Sequence, residues 1–390
     1  MINFFQEYLR IDTTFPQPRY DDVISLFIRQ AQKDGLAYEV VLLGNNNKAL
    51  VIEAPGSDHS LPGLVMTHHM DVVPVIDRKA WKFDPFGGII NEGVIYGRGT
   101  QDMKGVGVAH YFGLKKFLDE GGKLKRPVYL ALLPDEERGG YEGAGRFVEH
   151  PYFKKMHVGY VLDEGTPSGD PAYLNIKVSE RKPIQVSFVS HGTMAHGSRI
   201  HIRNAAHELI SFLRKLVLFQ ECQQLNGLGQ PAGLLLSVNI TSLQFGSIKD
   251  GVVALNVVAD TATATVDIRV PPTMRLQDVI RYLDNVVSRY PAVSYKIEST
   301  VQERFYDTSY RNNLYQSLER AVQSSGLNAH PFHAEESSDL RFYLERGFVG
   351  FGITPFTCKE NLHGTNESIT IKDLELGRNV FCSVIKDFCT

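Results

Sequence analysis

Short apolar runs alternate with helix-length amphipathic segments in the first half of the chain, and this alternation restricts the fold more than any other feature. The apolar runs have the length and composition of buried strands: Ala49–Ile52, Gly63–Met66, Val128–Leu133 and Val158–Leu162. Helical periodicity is found around and between them, at Asp21–Asp34, Lys104–Leu118 and Glu142–Phe153. This order predicts an α/β domain in which helices flank both faces of a mixed sheet.

A different pattern begins near Lys182. Pro183–Ser190 alternates apolar and polar residues as a half-buried strand does, and the elements after it follow in the order helix, strand, strand, helix, strand. That βαββαβ order predicts a ferredoxin-like α+β domain inserted at 182–300. The α/β pattern then resumes, so we expect residues 1–181 and 301–390 to form one discontinuous domain. Its last helix is expected to be capped by Thr370, with Asp373 three residues on.

Bulk composition excludes several classes of protein. The 390 residues are enough for two domains, and 43% hydrophobic with 22% charged residues is ordinary for a well-cored chain. A net charge of -3 without long runs of one sign gives no electrostatic basis for binding nucleic acid or a membrane surface. No stretch approaches the roughly 20 apolar residues of a membrane span. We therefore expect neither nucleic acid nor a membrane as a partner.

The N-terminal segment and the cysteines favour a cytoplasmic protein. Phe4, Phe5, Tyr8 and Leu9 have helical spacing, and the segment has neither the basic region nor the cleavage site of a signal peptide. The four cysteines match neither a zinc ribbon nor a disulfide framework. Thiols in a reducing cytosol are the simpler interpretation.

Five segments rich in acidic residues and histidine mostly begin where a predicted strand ends, which is where open α/β sheets place their ligands. They are Thr67–Pro74 (THHMDVVP), Tyr96–Gly105 (YGRGTQDMKG), Leu133–Gly140 (LPDEERGG), Val161–Gly165 (VLDEG) and Asn361–Glu367 (NLHGTNE). Two zinc-type ions that share a site need a bridging carboxylate, terminal histidine and carboxylate ligands, and a separate carboxylate to activate water. The five segments together contain this set, although none of them is decisive alone.

The first two segments also have ordinary structural interpretations. His69 and Asp71 share one face of a strand end, so Asp71 can orient the His69 ring while the other ring nitrogen binds metal. An unrelated histidine and aspartate would show the same spacing. Asp102 follows a glycine-rich turn and precedes a helix, and in isolation it is more simply an N-cap than a bridging ligand.

The other segments allow the same two kinds of interpretation. The carboxylates of Asp135, Glu136 and Glu137 could complement a helix dipole. Three adjacent carboxylates also repel one another, however, and a cation would relieve that cost. A loop histidine such as His363 is by itself seldom a ligand. The joint pattern favours a metal site, because five separate structural explanations would otherwise all have to hold at once.

In order and spacing, these segments resemble the M20 family of metallopeptidases and amidohydrolases. The similarity extends over nearly the whole chain, from Leu9–Pro18 (LRIDTTFPQP) through Trp81–Gly88 (WKFDPFGG) to the final helix. LPDEE followed by GG, and LDEG followed by Ser179–Arg181, favour the members that act on N-acyl-L-amino acids. The resemblance implies a di-zinc exopeptidase-like catalytic domain and an inserted ferredoxin-like domain that serves as a lid and dimerisation module.

Carried over residue by residue, the family pattern implies a complete site for two zinc ions per subunit. The ligands would be His69, Asp102 and Glu164 for one ion, and Asp102, Glu137 and His363 for the other, with Asp102 bridging. Asp71 would orient His69, and Glu136 would act as general base and then as general acid. Asp163 lies beside Glu164 and is a second candidate for that ligand. Cobalt or manganese would suit the same donors as zinc.

The resemblance also implies substrate-binding residues in the inserted domain. His196, in the segment HGTMAHGSR, matches a histidine that polarises the scissile carbonyl in the partner subunit's site, which implies a homodimer. Asn256 and Arg269 match substrate-binding positions, and Arg269 would clamp a carboxylate through a bidentate contact. An ion pair between Arg269 and Asp267 on a sheet surface would look the same in sequence. Arg341, in SSDLRF, is a second candidate for contacting substrate.

The reaction expected from this resemblance is hydrolysis of an N-acyl-L-amino acid to a carboxylate and a free amino acid. A dipeptidase or an N-acyl-diamino-acid deacylase would share the metal ligands, and only a substrate panel separates these activities. A catalytically silent binding protein would share the fold. The intact set of ligands and the intact general base argue against that last class.

Overall fold

The computed structural model describes residues 1–200, 202–246, 248–249, 252–300, 310–357 and 361–390. The α-helices within these ranges are α1 Ile2–Leu9, α2 Tyr20–Asp34, α3 Lys104–Asp119, α4 Ala144–Phe147, α5 Pro151–Lys155, α6 Ala205–Asn226, α7 Leu276–Val287, α8 Asn313–Ser324, α9 Leu340–Leu344 and α10 Ile371–Phe388. Short 3-10 turns lie at Arg78–Ala80, Glu136–Arg138 and Ala232–Leu234.

The strands follow the period-two and continuous apolar runs of the sequence. They are β1 Ala37–Gly44, β2 Asn47–Ala54, β3 Gly63–His69, β4 Ile89–Asn91, β5 Val94–Tyr96, β6 Val128–Leu133, β7 Val158–Asp163, β8 Tyr173–Glu180, β9 Lys182–His191, β10 Ala195–His196, β11 Ser237–Phe245, β12 Ile248–Lys249, β13 Val252–Val253, β14 Val257–Val258, β15 Thr261–Val270, β16 Val293–Thr300, β17 Asn328–Ala334, β18 Val349–Gly352 and β19 Ser368–Thr370.

The chain divides into two units. The first comprises Met1–Val178, Asp307–Phe332 and Ser338–Thr390, and the second comprises Ser179–Tyr306 and His333–Ser337. The domain limits inferred from the sequence, 182–300 for the insertion, and the lid role given to it stay predictions.

The first unit is built on a mixed sheet in the order β1-β2-β6-β3-β7-β18-β8-β17. β3 runs parallel to both β6 and β7, and β18 runs parallel to β7, so their carboxyl ends share one edge. β3 and β6 are buried along their whole length, which explains their continuous apolar character. Alternate residues of β2 belong to two apolar cores: Leu50 and Ile52 to one, Ala49 and Val51 to the other. The predicted α/β fold with a helix-flanked mixed sheet is confirmed.

One helix predicted as continuous is divided into two in the structure. The sequence pattern indicated a single helix over Glu142–Phe153, whereas the structure has the two short helices α4 and α5. Pro151 explains the break, because it lacks an N–H and disfavours helical geometry in the residue before it. His150 is extended, with ψ of 140°, and its side chain caps α5 by accepting a hydrogen bond from the Tyr152 N–H.

The second unit contains an antiparallel sheet in the order β11-β15-β9-β16. With α6 between β9 and β11, and α7 between β15 and β16, the chain follows the predicted βαββαβ order. The alternating residues of β9 behave as their period requires, since Ile184, Val186 and Phe188 are all fully buried. They pack with both helices in one apolar core. The predicted ferredoxin-like arrangement is therefore present.

The predicted N-terminus of the last helix is a complete capping box. The Thr370 hydroxyl accepts a hydrogen bond from the Asp373 N–H at 2.9 Å, and the Asp373 carboxylate accepts one from the Thr370 N–H at 3.3 Å. We expect Thr370→Ala to lower the free energy of unfolding by about 1 kcal/mol, because the Asp373 N–H loses its acceptor and the Asp373 carboxylate loses the Thr370 hydroxyl. Thr370→Ser keeps the hydroxyl and serves as the control. Equal urea midpoints for Thr370→Ala and wild type would contradict this prediction.

The described part of the chain has neither a membrane-spanning helix nor a disulfide. None of the helices there is long and apolar enough to cross a membrane. Cys222, Cys382 and Cys389 carry free thiols, the last two of them buried. The fourth cysteine, Cys358, lies outside the described residues.

Candidate metal centre

The parallel strands bring three of the acidic segments to one edge of the large sheet. His69 is the last residue of β3, Asp163 is the last residue of β7, and the run Asp135–Glu137 follows β6 after a single proline. Because β6 and β7 both pair with β3 in parallel, the segments after them emerge side by side. Asp102 and His363 reach the same place from loops. The sheet thus gathers residues that are far apart in sequence.

The gathered residues form two groups that share one aspartate. In the first group, His69 Nε2 lies 2.9 Å from Asp102 Oδ1 and 3.7 Å from Glu164 Oε2. In the second, His363 Nε2 lies 2.8 Å from Asp102 Oδ2 and 3.7 Å from Glu137 Oε1. Within each group, the possible ligand atoms all lie within 4.8 Å of one another. Asp102 therefore presents one carboxylate oxygen to each group, as a bridging ligand would.

The structure also shows that Asp102 does not cap a helix. The N-cap of α3 is Met103, without a side-chain cap hydrogen bond, and both Asp102 oxygens are engaged by the two histidines. The N-cap interpretation, which was the simpler one for Asp102 in isolation, is wrong. Sequence spacing could not show this, because an N-cap and a bridging ligand occupy the same place before a helix.

Asp71 contacts both the His69 ring and the turn that carries Glu136 and Glu137, and the sequence indicated only the first of these contacts. Its backbone carbonyl oxygen lies 2.9 Å from His69 Nδ1, while its carboxylate lies 3.6 Å from that nitrogen. The carboxylate accepts hydrogen bonds from the backbone N–H groups of Glu136 and Glu137, at 3.3 and 3.0 Å. Asp71 is fully buried. It therefore orients the His69 ring chiefly through its carbonyl and also holds the turn that carries the two glutamates.

The geometry distinguishes the two adjacent acids Asp163 and Glu164. Asp163 is buried and accepts a hydrogen bond from the Ser338 hydroxyl at 3.0 Å, and Lys177 Nζ donates to that same hydroxyl at 2.6 Å. Glu164 faces His69 and belongs to the first ligand group. Alternation along the chain thus directs Asp163 away from the group and Glu164 into it. This placement favours Glu164 as the ligand.

Most carboxylates of this centre are unfavourable in their ionised form, because they are buried and repel one another. Burial, and after it repulsion from Asp102, raises the pKa of Glu137 to about 10. Burial likewise raises the pKa of Glu164 well above its ordinary value. Asp102 is the exception: burial opposes ionisation, but hydrogen bonds from His363 and His69 hold its pKa far below the usual range. Glu137 Oε1 is buried without a hydrogen-bond partner. Imidazole and carboxylate donors under such repulsion fit divalent cations.

Comparison with known proteins gives the family. The sequence profile of Peptidase family M20/M25/M40 matches residues 65–387, which is most of the chain. This chain belongs to peptidase family M20/M25/M40. The predicted family is confirmed, and with it the prediction of a hydrolase.

Individual M20 relatives are similar over most of the chain. Aminoacylase-1 of Mus musculus is 30% identical over 375 residues, covering 94% of this chain and 90% of the relative. Aminoacylase-1 of Sus scrofa is 34% identical over 279 residues, covering 71% and 67%. Aminoacylase-1 of Dictyostelium discoideum is 29% identical over 401 residues, covering 98% and 96%.

Solved M20 structures share the fold at low identity. An M20 family metallo-carboxypeptidase from Sulfolobus solfataricus superposes with a TM-score of 0.78 at 19% identity, covering 99% of this chain and 98% of the other. A dinuclear metal-binding M20 peptidase from Bacillus subtilis gives a TM-score of 0.66 at 15% identity, covering 98% and 96%. These structures show that the fold is that of the M20 family.

Glu136 is close to the ligand groups of this M20 protein but belongs to neither of them. It begins the 3-10 turn Glu136–Arg138, after Asp135 in a left-handed conformation with φ of 75°. Burial raises the pKa of Glu136 to about 7. The structure thus places Glu136 beside Glu137, a member of the second group, on a turn whose amide groups are held by Asp71. Its catalytic role stays a prediction.

Three predicted substrate residues lie in the second unit. His196 is exposed, and its Nδ1 lies 2.7 Å from the Ser198 hydroxyl. Asn256 is close to it, since the Asn256 carbonyl oxygen accepts a hydrogen bond from the Gly197 N–H at 2.7 Å. Arg269 donates to both Asp267 oxygens, at 2.6 and 3.1 Å. The ion pair considered from the sequence is therefore formed, and the substrate contacts of all three stay predictions.

Arg341 contacts backbone in this structure. It is buried in α9, and its guanidinium donates to the carbonyl oxygens of Ser338 at 2.8 Å and Gly139 at 2.5 Å. Gly139 directly follows the turn that carries Glu136 and Glu137. The observed contacts make Arg341 a support for that turn, and its predicted substrate contact stays a prediction.

Proposed function

We propose that this chain hydrolyses N-acyl-L-amino acids to a carboxylate and a free L-amino acid at a two-metal site. The observation that carries the proposal is the shared aspartate: Asp102 presents one oxygen to each of two His-carboxylate groups. The similarity to three aminoacylase-1 proteins, over two thirds or more of both chains in each case, supports the substrate class.

The proposed cofactor is a pair of zinc ions. The residues that would hold them are His69, Asp102 and Glu164 for one ion, and Asp102, Glu137 and His363 for the other. Imidazole and carboxylate are zinc donors, and cobalt or manganese would suit the same set. When bound, two such ions lower the pKa of water and polarise the scissile carbonyl.

The chain itself supplies the proton transfers in this proposal. Glu136 takes a proton from the attacking water and delivers it to the nitrogen of the leaving amine. It is suited to this role because it lies outside both ligand groups while its neighbour Glu137 belongs to one. Asp71 holds His69 and the two glutamates in fixed relative positions, because it contacts the His69 ring and also the backbone N–H groups of Glu136 and Glu137.

The second unit would supply the groups that bind substrate and a partner subunit. In this proposal His196 stabilises negative charge on the carbonyl oxygen, Asn256 contacts the substrate, and Arg269 holds the amino-acid carboxylate. A homodimer through the second unit, acting as a lid, completes the proposed enzyme, in the cytoplasm. The edge strand β11 supports a contact between subunits, because apolar Ile240 and Leu243 are exposed on it.

A substrate panel tests the proposed activity. With zinc-replete protein we expect kcat/KM for N-acetyl-L-methionine to exceed that for dipeptides by about tenfold or more, because the pocket would recognise the acyl group and one free carboxylate. N-acetyl-D-methionine is the control for stereochemistry. A chelator should abolish turnover, and zinc should restore it. Turnover of dipeptides without turnover of N-acyl amino acids would favour the dipeptidase alternative instead.

A further inference from the structure

Glu367 is a fully buried carboxylate that belongs to neither ligand group. Its Oε2 accepts hydrogen bonds from the Arg98 guanidinium at 2.7 Å and from the Gly99 N–H at 3.1 Å. Its Oε1 accepts from the backbone N–H of Gln101 at 2.8 Å, the Asp102 N–H at 3.4 Å and the Thr100 hydroxyl at 3.4 Å. One side chain thus organises the whole loop that ends at the shared aspartate.

Arg98 extends this network to the second histidine. One guanidinium nitrogen donates to Glu367, and the other donates to the His363 carbonyl oxygen at 3.1 Å. Arg98 is buried, and its guanidinium lies 5.3 Å from the centre of the Trp81 ring. The planar guanidinium presents two separate nitrogens to these two acceptors, a fork that the compact ammonium of lysine does not reproduce. The pair of Arg98 and Glu367 therefore links the loop of Asp102 to the loop of His363.

Backbone pairing keeps the same two loops in register. β5 and β19 pair with Ser368 opposite Tyr96. Just beyond this ladder, the Gly97 N–H donates to the Glu367 carbonyl oxygen at 3.0 Å, and the Gln101 side-chain amide donates to the Ser368 carbonyl oxygen at 3.0 Å. Glu367 thus lies where the strand pairing ends and the loop amide groups need other partners.

We propose that Glu367, together with Arg98, is a positioning residue that holds Asp102 and His363 in the arrangement needed to bind the two metal ions. The inference rests on the two-metal site proposed above. The reason is that Asp102 and His363 are 261 residues apart in sequence, yet His363 Nε2 lies 2.8 Å from Asp102 Oδ2, so the two loops that carry them must be held together. All five groups that Glu367 contacts here are donors, so an amide in its place would set its own N–H groups against some of them.

The decisive variant is Glu367→Gln, which keeps size and shape. We expect zinc affinity to fall by about 10- to 100-fold, as for other residues that orient metal ligands. The visible absorption of the cobalt-substituted protein should change, because it reports ligand geometry. We expect kcat to fall while KM stays within about twofold, because the substrate itself is not contacted.

Asp373→Asn is the matched control. Asp373 is also buried in the first unit, and its carboxylate also accepts hydrogen bonds from backbone N–H groups and hydroxyls, those of Thr357 and Thr370. It contacts neither metal-ligand loop in these hydrogen bonds. We expect this variant to lower the melting temperature while its zinc affinity and cobalt spectrum match wild type. A role of Glu367 in stability alone would make the two variants alike.

Arg98→Lys decides the question if Glu367→Gln does not fold. The lysine keeps a positive charge near Glu367 but lacks the second guanidinium nitrogen that donates to the His363 carbonyl. We expect it to weaken zinc binding, with kcat reduced. A folded Glu367→Gln with wild-type zinc affinity, cobalt spectrum and kcat would overturn the inference, as would the same result for Arg98→Lys in the absence of a folded Glu367→Gln. Wild type that binds metal but cleaves no N-acyl amino acid would overturn only the proposed function, and wild type that binds no metal would overturn both.

Discussion

Replacing Glu136 by glutamine is expected to lower kcat by about 10³-fold while the protein keeps its metal ions. The reason is that an amide cannot take a proton from the attacking water, whereas neither ligand group contains Glu136. Steady-state kinetics measures kcat, and metal analysis of the same preparation measures the bound metal. The expected pattern is a loss in kcat without a loss of bound metal, which distinguishes a general base from a ligand.

Glu142→Gln is the matched control for that experiment. Glu142 lies six residues further along, is partly exposed, and forms an ion pair with Arg146 and a hydrogen bond with Asn45. We expect its turnover to match wild type, since exposed ion pairs contribute little. Near wild-type turnover of Glu136→Gln would remove Glu136 from the proposed mechanism and leave the proton transfers without a group to carry them out.

Asp102→Asn is expected to have the other large effect, on metal content. Both ligand groups use this carboxylate, one oxygen each, so an amide removes a negative charge and one oxygen donor from the shared position. We expect bound zinc to fall from about two ions per chain to one or fewer, and kcat/KM to fall by more than about 100-fold, the upper limit for residues that only orient ligands.

Variants of the unshared ligands test the bridging role of Asp102. Glu164→Gln and His363→Ala each remove a donor from one group only, so each should cost one ion while the other is retained. Asp119→Asn is the control, because Asp119 is exposed, belongs to neither ligand group and forms an ion pair with Lys115. If Asp102→Asn still bound two zinc ions with wild-type affinity, Asp102 would not be the bridge.

Periodicity and motif order were enough for the fold. The βαββαβ insertion and the helix-flanked mixed sheet both follow from local hydrophobic patterns, because each strand and helix must bury one face. The interruption of the predicted Glu142–Phe153 helix was also in the sequence, at Pro151, and the apolar periodicity around it concealed the break. Local sequence therefore determined which elements form, and the effect of Pro151 on the helix was the one local signal that the prediction missed.

The sequence pattern predicted the roles of individual polar residues less well than it predicted the fold. Asp102 before α3 satisfied the sequence rule for an N-cap, and only the two histidine contacts show otherwise. Arg269 had two possible partners in the sequence, and in the structure it pairs with Asp267. Glu367 was part of a recognised segment, yet nothing in its spacing indicated that it holds the Asp102 loop. These are long-range contacts, which periodicity does not encode.

By itself, the sequence determined the two architectures, the family resemblance and the set of candidate ligands, because these depend on residue types and their order. Only the tertiary structure decided which oxygen of Asp102 faces which histidine, that Glu164 and not Asp163 turns toward His69, and that Glu367 lies beneath the Asp102 loop. The physical reason is that a metal site is defined by distances of a few ångströms. Here those distances are set by parallel strand ends and by two loops that meet across 261 residues of chain.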